Sequence, residues 1–160
     1  MTIRAVPLTA AAFTPFGDVL EVAGAPDRII NQGLCGRYHD RAALDLHGGR
    51  AGVSLFDAKP RALPYRLEMV ERHPDGAQTF VPMTEHPFLV IVAPDNGGEP
   101  GTPLAFVTAP GQAVNYHRNT WHGVLAPLHA PGLFAVVDRI GPGANLEEHW
   151  FTVPYDITAP

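Results

Sequence analysis

The sequence predicts an all-β fold, a β-sandwich or a barrel, with very little helix. Glycine and proline together make up about a fifth of the 160 residues, well above the ~12% that is usual in globular proteins. They are scattered without a period, as turn residues between short apolar runs. Hydrophobic residues account for 46% of the chain and charged residues for 17%, which is sufficient for a buried core. Many short strands separated by turn signals are typical of two-layered or closed β-sheets.

The first half of the chain is predicted to contain one turn of helix and several strands. Thr9 can cap a helical turn over 10–13, which ends before Pro15. The segment 29–40 is expected to be irregular, because polar and aromatic residues alternate there without a period. The strands are expected at 17–22, 44–47, 52–56, 65–73 and 78–83. We interpret 44–56 as a hairpin around two glycines, and 65–83 as a hairpin around Pro74-Asp75-Gly76.

The second half of the chain is predicted to continue the sheet. The apolar run Phe88–Ala93 has the length of a buried strand, and the glycine- and proline-rich segment 95–103 is a predicted loop. Further strands are expected at 104–108, 113–116, 121–125 and 133–140, followed by a short helix over 146–150. No change of composition and no repeat divides the chain, so residues 1–160 are expected to form one domain.

Composition and motifs argue against several classes of protein. The net charge of −5 and the lack of a basic stripe argue against nucleic-acid binding. No apolar run is long enough to span a membrane, and the N-terminus lacks a secretory signal, so a cytoplasmic protein is expected. A single cysteine, Cys35, excludes an internal disulfide and a cysteine-based zinc site. The single serine, Ser54, is not in a nucleophile elbow, and no phosphate-binding loop is present.

Three predicted strands carry apolar residues along one face and a polar residue at the end of that face. Because alternate residues of a small barrel point inward, these polar ends are expected to meet at one mouth of the barrel. The residues concerned are Glu71 and His73 after Leu67 and Met69, Gln78 before Phe80, and His122 before Val124. A cluster of polar groups above an apolar floor is the layout of a ligand pocket.

The spacing of these residues resembles the cupin motifs. Glu71-x-His73-x4-Gln78 resembles the first motif, and His117-x-Asn119-x-x-His122 is similar to the second. The resemblance implies a cupin-like double-stranded β-helix, a jelly-roll barrel with a few short helices. It also implies metal ligands at Glu71, His73, Gln78 and His122. Glu71 stands where the pattern has histidine and Gln78 where it has glutamate, and an amide is a weaker ligand than a carboxylate.

Longer segments resemble the ureidoglycolate lyase family, formerly called ureidoglycolate hydrolases, over nearly the whole chain. The most specific segments are Glu71-Arg72-His73-Pro74-x-Gly76-x-Gln78-x-Phe80-x-Pro82-Met83, Val114-Asn115-Tyr116-His117-Arg118-Asn119-x-Trp121-His122, Arg37-Tyr38-His39-Asp40 and Asp138-Arg139. The resemblance implies a homodimeric carbon–nitrogen lyase of allantoin breakdown. It implies cleavage of (S)-ureidoglycolate to glyoxylate and urea, and association with nickel or another divalent ion.

The chemistry of this cleavage suggests roles for the candidate residues. His73 and His122 are expected to bracket the substrate, directly or through a metal, and Glu71 or His117 to complete proton transfer. An arginine is expected to bind the substrate carboxylate, although Arg72 points outward by parity with His73. The arginine candidates are Arg37, Arg72, Arg118 and Arg139, and the candidates for the ureido group are Gln78, Asn31, Asn115 and Tyr116.

Two alternatives to a lyase remain open from the sequence. The first is a cupin enzyme that uses a metal for a different reaction, which a complete ligand set would favour. The second is a non-catalytic cupin that binds a small acid. Release of glyoxylate and urea, measured with and without a chelator, distinguishes these possibilities.

Overall fold

Two β-sheets that face each other carry most of the regular structure, and the computed structural model describes residues 1–160. In chain order the elements are β1 (Thr2–Arg4), β2 (Val6–Pro7), α1 (Ala10–Phe13), β3 (Gly17–Leu20), β4 (Arg28–Ile30), a 3-10 turn (Asn31–Gly33), β5 (Cys35–Arg37), β6 (Arg50–Ala58), β7 (Tyr65–Arg72), β8 (Gln78–Pro82), β9 (Phe88–Ala93), β10 (Asp95–Asn96), β11 (Glu99–Pro100), β12 (Leu104–Val107), β13 (Ala113–Tyr116), β14 (Trp121–His122), β15 (Ala126–Pro127), β16 (Gly132–Ile140) and β17 (Glu147–Thr158). The predicted all-β, cupin-like jelly roll is confirmed.

The larger sheet has eight strands and the smaller has five. The order of the larger sheet is β1-β17-β7-β14-β9-β12-β2, and β15 also pairs with β9. The order of the smaller sheet is β3-β13-β8-β16-β6. Neighbouring strands are antiparallel except for β1 with β17 and β2 with β12. No helix is long and apolar enough to cross a lipid bilayer, since α1 has only four residues.

The main core lies between the two sheets. The eight-stranded sheet contributes Val90 and Val92, and the five-stranded sheet contributes Phe80 and Val136, to one cluster of 12 buried residues. The rings of Phe88 and Phe134 meet edge to face across the two sheets, with centroids 5.0 Å apart. This apolar layer holds the sheets at a fixed separation and forms the floor beneath the polar end of the barrel.

A second core covers the opposite face of the eight-stranded sheet. Leu89, Ile91 and Ala93 alternate with the residues of β9 that enter the main core, and they belong to a cluster of ten buried residues. Every residue of β9 is therefore buried. This explains why a short run without polar alternation is a strand rather than a helix.

Both predicted hairpins are wrong, and the strand predicted at 44–47 does not form, although the strands predicted at 52–56, 65–73 and 78–83 exist as β6, β7 and β8. β7 pairs with β14 and β17 in the larger sheet, whereas β8 pairs with β13 and β16 in the smaller one. The turn after β7 thus crosses between the sheets. β6 pairs along nine residues with β16, and Leu46 instead makes an isolated bridge to Gly76. Alternation predicts which side chains are buried, but it carries no information about which strand supplies the backbone partner.

The two predicted helices have different outcomes. α1 forms as expected, and the Thr9 hydroxyl accepts a hydrogen bond from the Ala12 N–H at 3.3 Å. The helix predicted over 146–150 is absent, because residues from Glu147 onward form β17. Pairing of β17 with β7 over most of that strand's length outweighs the local preference of a few residues.

Candidate active site

Three residues of the eight-stranded sheet meet at the polar end of the barrel. Glu71 near the end of β7 lies directly opposite His122 of β14 in the antiparallel register. His122 in turn lies opposite Val92, which belongs to the core between the sheets. Side chains paired in this way share one face, so Glu71 and His122 both point inward. His73 follows β7, and its ring centroid is 5.3 Å from that of His122.

Backbone carbonyls determine the tautomers of the two histidines. His73 Nδ1 lies 2.7 Å from the Asn145 carbonyl oxygen, and His122 Nδ1 lies 3.1 Å from the Gly123 carbonyl oxygen. A carbonyl only accepts hydrogen bonds, so the tautomer of each neutral ring has its proton on Nδ1 and its lone pair on Nε2. Both Nε2 atoms are buried and have no hydrogen-bond partner.

Burial shifts the pKa values of Glu71 and His122 in opposite directions. Burial, assisted by the neighbouring His73, lowers the pKa of His122 to about 3 and outweighs the opposing bond to Gly123, so His122 is neutral at pH 7. Burial also raises the pKa of the Glu71 carboxyl, which His73 lowers and Glu148 raises further. The Tyr116 ring stacks on His122 with centroids 4.2 Å apart. Burial raises the pKa of the Tyr116 hydroxyl, and the nearby charge of Glu71 raises it further.

The triad has the donor set of a metal site. One donor atom from each of Glu71, His73 and His122 lies within 4.8 Å of the other two, and Glu71 Oε1 is 3.9 Å from His73 Nε2. Histidine ligands commonly donate the second ring N–H to a carbonyl or carboxylate, as both histidines do here. Two buried, unpartnered imidazole nitrogens beside a carboxylate therefore fit a divalent cation of the zinc or nickel kind.

The five-stranded sheet contributes a second polar pair from the other side. Gln78 of β8 is 8% exposed, and its Nε2 donates to Asp138 Oδ2 at 3.4 Å. Gln78 Oε1 and Asp138 Oδ1 are both buried without a partner. Sequence reasoning missed Asp138 as a site residue. The signal was present, because Phe134, Val136 and Asp138 alternate along β16 and end on a polar residue, like the strands that were recognised.

None of the four candidate arginines is free to bind a substrate carboxylate at the triad. Arg72 donates to Glu147 at 2.6 Å and to Asp95 at 2.9 Å, and it lies 4.3 Å above the ring of Trp121. It points outward, as its parity predicts. The other three donate to the following groups: Arg118 to Asp45 and the Pro74 carbonyl, Arg139 to the carbonyls of His47, Gly48 and Pro142, and Arg37 to His39.

Two further candidates lie on the outer face of the five-stranded sheet, away from the triad. Asn115 is fully buried there, where its amide donates to Asp18 at 2.9 Å and to the Ala43 carbonyl at 3.1 Å and accepts from Thr79. His117 Nε2 lies 3.2 Å from Asp18 Oδ1. Both side chains hold the segment around Ala43 on the sheet. Asn31 is exposed in the 3-10 turn, and Arg37 borders a surface cavity with Asp27 and His39.

The larger surface cavities are separate from the triad. The largest, about 520 Å³, lies over the outer face of the five-stranded sheet and is bordered by apolar residues such as Leu44, Val81 and Val137. The next, about 380 Å³, is bordered by Asp95, His117 and Arg118. Neither is lined by Glu71, His73 or His122. Of these three, His122 is buried, whereas Glu71 and His73 are partly exposed at the polar end of the barrel.

Comparison with known proteins identifies the family. The sequence model of ureidoglycolate lyase matches residues 1–158. The chain belongs to the ureidoglycolate lyase family. It is similar to the ureidoglycolate lyase of Rhodobacter capsulatus, with 63% identity over 149 residues that cover 92% of each chain. It is also 53% identical to ureidoglycolate lyase 2 of Rhizobium meliloti, over 94% of each chain.

A third relative shows how completely the family likeness covers this chain. The ureidoglycolate lyase of a Chelativorans species is 52% identical over 160 residues, which is 99% of this chain and 97% of the relative. The ureidoglycolate lyase likeness therefore includes β7, β14 and β16, which carry the triad and Asp138.

Proposed function

We propose that this protein is a ureidoglycolate lyase that cleaves (S)-ureidoglycolate to glyoxylate and urea during allantoin breakdown. Membership of the family supports the reaction class. The observation that carries the assignment to a site is the convergence of Glu71, His73 and His122 at the polar end of the barrel. The buried Nε2 atoms of His73 and His122 make no hydrogen bond within the chain. Buried polar atoms without a partner are rare unless a ligand uses them.

Cleavage transfers one proton within the substrate. A single carbon of ureidoglycolate carries a hydroxyl, a carboxylate and the ureido nitrogen. Glu71 accepts the hydroxyl proton, the O–H electron pair forms the C=O bond of glyoxylate, and the C–N bond breaks. The C–N electron pair stays on nitrogen, which takes the proton from Glu71 and leaves as urea. The enzyme ends unchanged, and burial suits Glu71 to this shuttle because it raises the carboxyl pKa toward neutrality.

The histidines bind and orient rather than donate protons. Each Nδ1–H is held by a backbone carbonyl, and His122 stays neutral at pH 7 because burial lowers its pKa to about 3. Their free Nε2 atoms can accept a hydrogen bond or ligate a cation. The stacked Tyr116 ring restricts the orientation of His122 and so fixes the direction of its lone pair.

Charge balance supports a divalent cation, for which the donors would be Nε2 of His73, Nε2 of His122 and one carboxylate oxygen of Glu71. The second carboxylate oxygen of Glu71 would then be the one that takes the substrate proton. The substrate is an anion, the site already contains the carboxyls of Glu71 and Asp138, and the candidate arginines are bound elsewhere. An anion in such surroundings needs a compensating positive charge. When bound, the ion supplies that charge and polarises the substrate oxygens. The family resemblance favours nickel.

A direct assay tests this function. Purified protein is incubated with ureidoglycolate, and glyoxylate, urea and ammonia are measured, before and after chelation and with Ni²⁺ or Zn²⁺ restored. We expect equal amounts of glyoxylate and urea without ammonia, loss on chelation, and recovery with a divalent ion. Release that resists chelation would indicate acid–base catalysis without metal. No release under any condition would contradict the lyase and favour a protein that binds a small acid.

We also propose that the protein acts as a cytoplasmic homodimer. The outer face of the five-stranded sheet carries exposed apolar side chains, which are Val53, Leu55, Val81, Met83 and Leu133. Contiguous apolar surface of this kind is usual at subunit interfaces. A cytoplasmic location fits a chain with one free cysteine and no disulfide.

A further inference from the structure

Two acceptors in the barrel lack the donors that they require. Gln78 Oε1 and Asp138 Oδ1 are buried and make no hydrogen bond within the chain. Buried acceptors without partners are uncommon because leaving them unbonded destabilises the fold. The Gln78 amide group is already oriented by its Nε2, which donates to the other oxygen of Asp138. One amide oxygen and one carboxylate oxygen of this hydrogen-bonded pair therefore remain without donors.

These acceptors lie across the barrel from the triad. Gln78 pairs with Tyr116 in the register of β8 and β13, and the Tyr116 ring stacks on His122. Asp138 follows Val136 on the inward face of β16. Asp138 is not among the three residues whose donor atoms cluster within 4.8 Å. The site thus has two sides, with nitrogen ligands and Glu71 on one and two free acceptors on the other.

The missing partner is a group with two N–H donors on one edge. No side chain of the protein supplies it, because the nearest cationic candidate, Arg139, donates to the carbonyls of His47, Gly48 and Pro142. The ureido group, –NH–CO–NH2, is planar and offers one N–H from each nitrogen on the same edge. Two adjacent acceptors match such an edge in the way that a carboxylate matches a guanidinium.

We propose that Gln78 and Asp138 bind the two ureido N–H groups and so determine both the orientation and the specificity of the substrate. This inference rests on the lyase function proposed above. The ureido end then lies against the five-stranded sheet, and the glycolate end, with its hydroxyl and carboxylate, faces Glu71 and the histidines. A glycolate that carries no nitrogen donors leaves both acceptors unpaired and is rejected.

The same pair also binds the leaving group. The ureido nitrogen keeps its N–H and gains a second one when the C–N bond breaks, so the departing urea can retain both contacts. Urea is therefore a product inhibitor that depends on Asp138, whereas glyoxylate, which has no N–H group, is not.

The test compares Asp138→Asn with the wild type and with Glu68→Gln, a matched carboxylate-to-amide change at an exposed position of β7 in the other sheet. Whichever way the new amide turns, one acceptor of the pair becomes a donor. We expect the KM for ureidoglycolate and the inhibition constant of urea to rise at least about tenfold. The inhibition constant of glyoxylate and the bound divalent metal per chain should stay within about twofold of the wild type. Glu68→Gln should match the wild type throughout.

Other outcomes overturn the proposal. An unchanged KM, or an equal rise in the inhibition constants of urea and glyoxylate, would show that Asp138 does not contact the ureido group. Loss of bound metal would assign Asp138 to the metal site instead. If Asp138→Asn does not fold by circular dichroism, Gln78→Met, which removes the amide acceptor at similar length, is measured with the same expectations. A wild type that releases no glyoxylate contradicts the lyase function itself, whereas an active wild type with an indifferent Asp138→Asn contradicts only this inference.

Discussion

Glu71 shows how one side chain can favour activity at the expense of stability. Its carboxyl is partly buried between His73 and Glu148, and burial raises its pKa. The ionised form, which is the one able to accept a proton, is therefore less favourable in the folded protein than in the unfolded chain. A buried carboxyl with a raised pKa is typical of functional sites, where it serves the reaction rather than the stability of the fold.

We predict that Glu71→Gln lowers the kcat for glyoxylate release at least ~100-fold, because the amide cannot accept the hydroxyl proton. In chelator-treated protein at pH 7, the midpoint of thermal unfolding should stay the same or rise, because a buried charge is removed. Glu68→Gln, on the same strand but exposed, is the control. A lower midpoint together with lower activity would assign Glu71 a structural role.

At the scale of elements, Asp18 and Asn115 together hold the backbone of Ala43 on the five-stranded sheet. The Asp18 carboxylate accepts hydrogen bonds from the Ala43 N–H at 3.0 Å and from Asn115 Nδ2 at 2.9 Å, and His117 Nε2 lies 3.2 Å away. Burial by itself would raise the pKa of Asp18. The bonds from Ala43, Asn115 and His117 together outweigh burial and lower that pKa below 3.8.

The direction of this shift predicts a dependence of stability on pH. Because the pKa of Asp18 is lowered in the folded state, its contribution is complete well above pH 3.8 and is lost as the pH falls through the folded value. The free energy of unfolding of the wild type should exceed that of Asp18→Asn at pH 7, and the difference should shrink between pH 5 and pH 3. Urea denaturation at several pH values measures it. A difference that is constant over this range would contradict the role of Asp18.

The single helix depends on its cap. α1 is too short to be stable alone, yet it places Phe13 in the core between the sheets. Thr9→Ala should lower the free energy of unfolding by about 1 kcal/mol, since the Ala12 N–H loses its acceptor. Thr9→Ser keeps the hydroxyl and should stay close to the wild type. Equal losses in both variants would show that the methyl group, rather than the hydrogen bond, stabilises this turn.

At the scale of the whole molecule, the two sheets contribute different residues to the candidate site. The eight-stranded sheet supplies the triad, and the five-stranded sheet supplies Gln78 and Asp138 inward and an exposed apolar face outward. Val53 and Leu55 on that outer face are 73% and 74% exposed. Monomeric proteins rarely expose large contiguous apolar patches to water.

We predict that sedimentation of the wild type gives the mass of two chains and that Val53→Asp shifts it toward one chain, because a charge opposes burial of this face. The matched control is Val153→Asp, which alters an equally apolar exposed residue on β17 of the other sheet. A wild type that sediments as one chain, or equal effects of both variants, would contradict the proposed interface.

The alternation of apolar and polar residues in the sequence predicts the direction of several site side chains. Alternation along 65–73 predicted that Glu71 points inward and Arg72 outward, and both do. It also placed Leu67 on the inward face, which is wrong, because Leu67 packs in the second core beyond a register shift between β7 and β17. It failed where backbone pairing decides: β7 and β8, expected to pair with each other, lie in different sheets. Asn115 was predicted to bind the ureido group, yet its neighbours Val114 and Tyr116 both face inward. Asn115 therefore lies on the outer face of the sheet.

By itself, the sequence determined the all-β class, the family likeness, and the inward faces of the strands that carry Glu71, Gln78 and His122. These properties follow from composition, motif spacing and the two-residue period of a strand, all of which are local. Only the tertiary structure decided that the arginines are bound elsewhere, that Asp138 lies beside Gln78, and that two acceptors remain free. Three of the contacts that decide these points, Arg72 to Asp95, Gln78 to Asp138 and Arg139 to His47, join residues 23, 60 and 92 positions apart. Pairings at such separations depend on how the sheets pack.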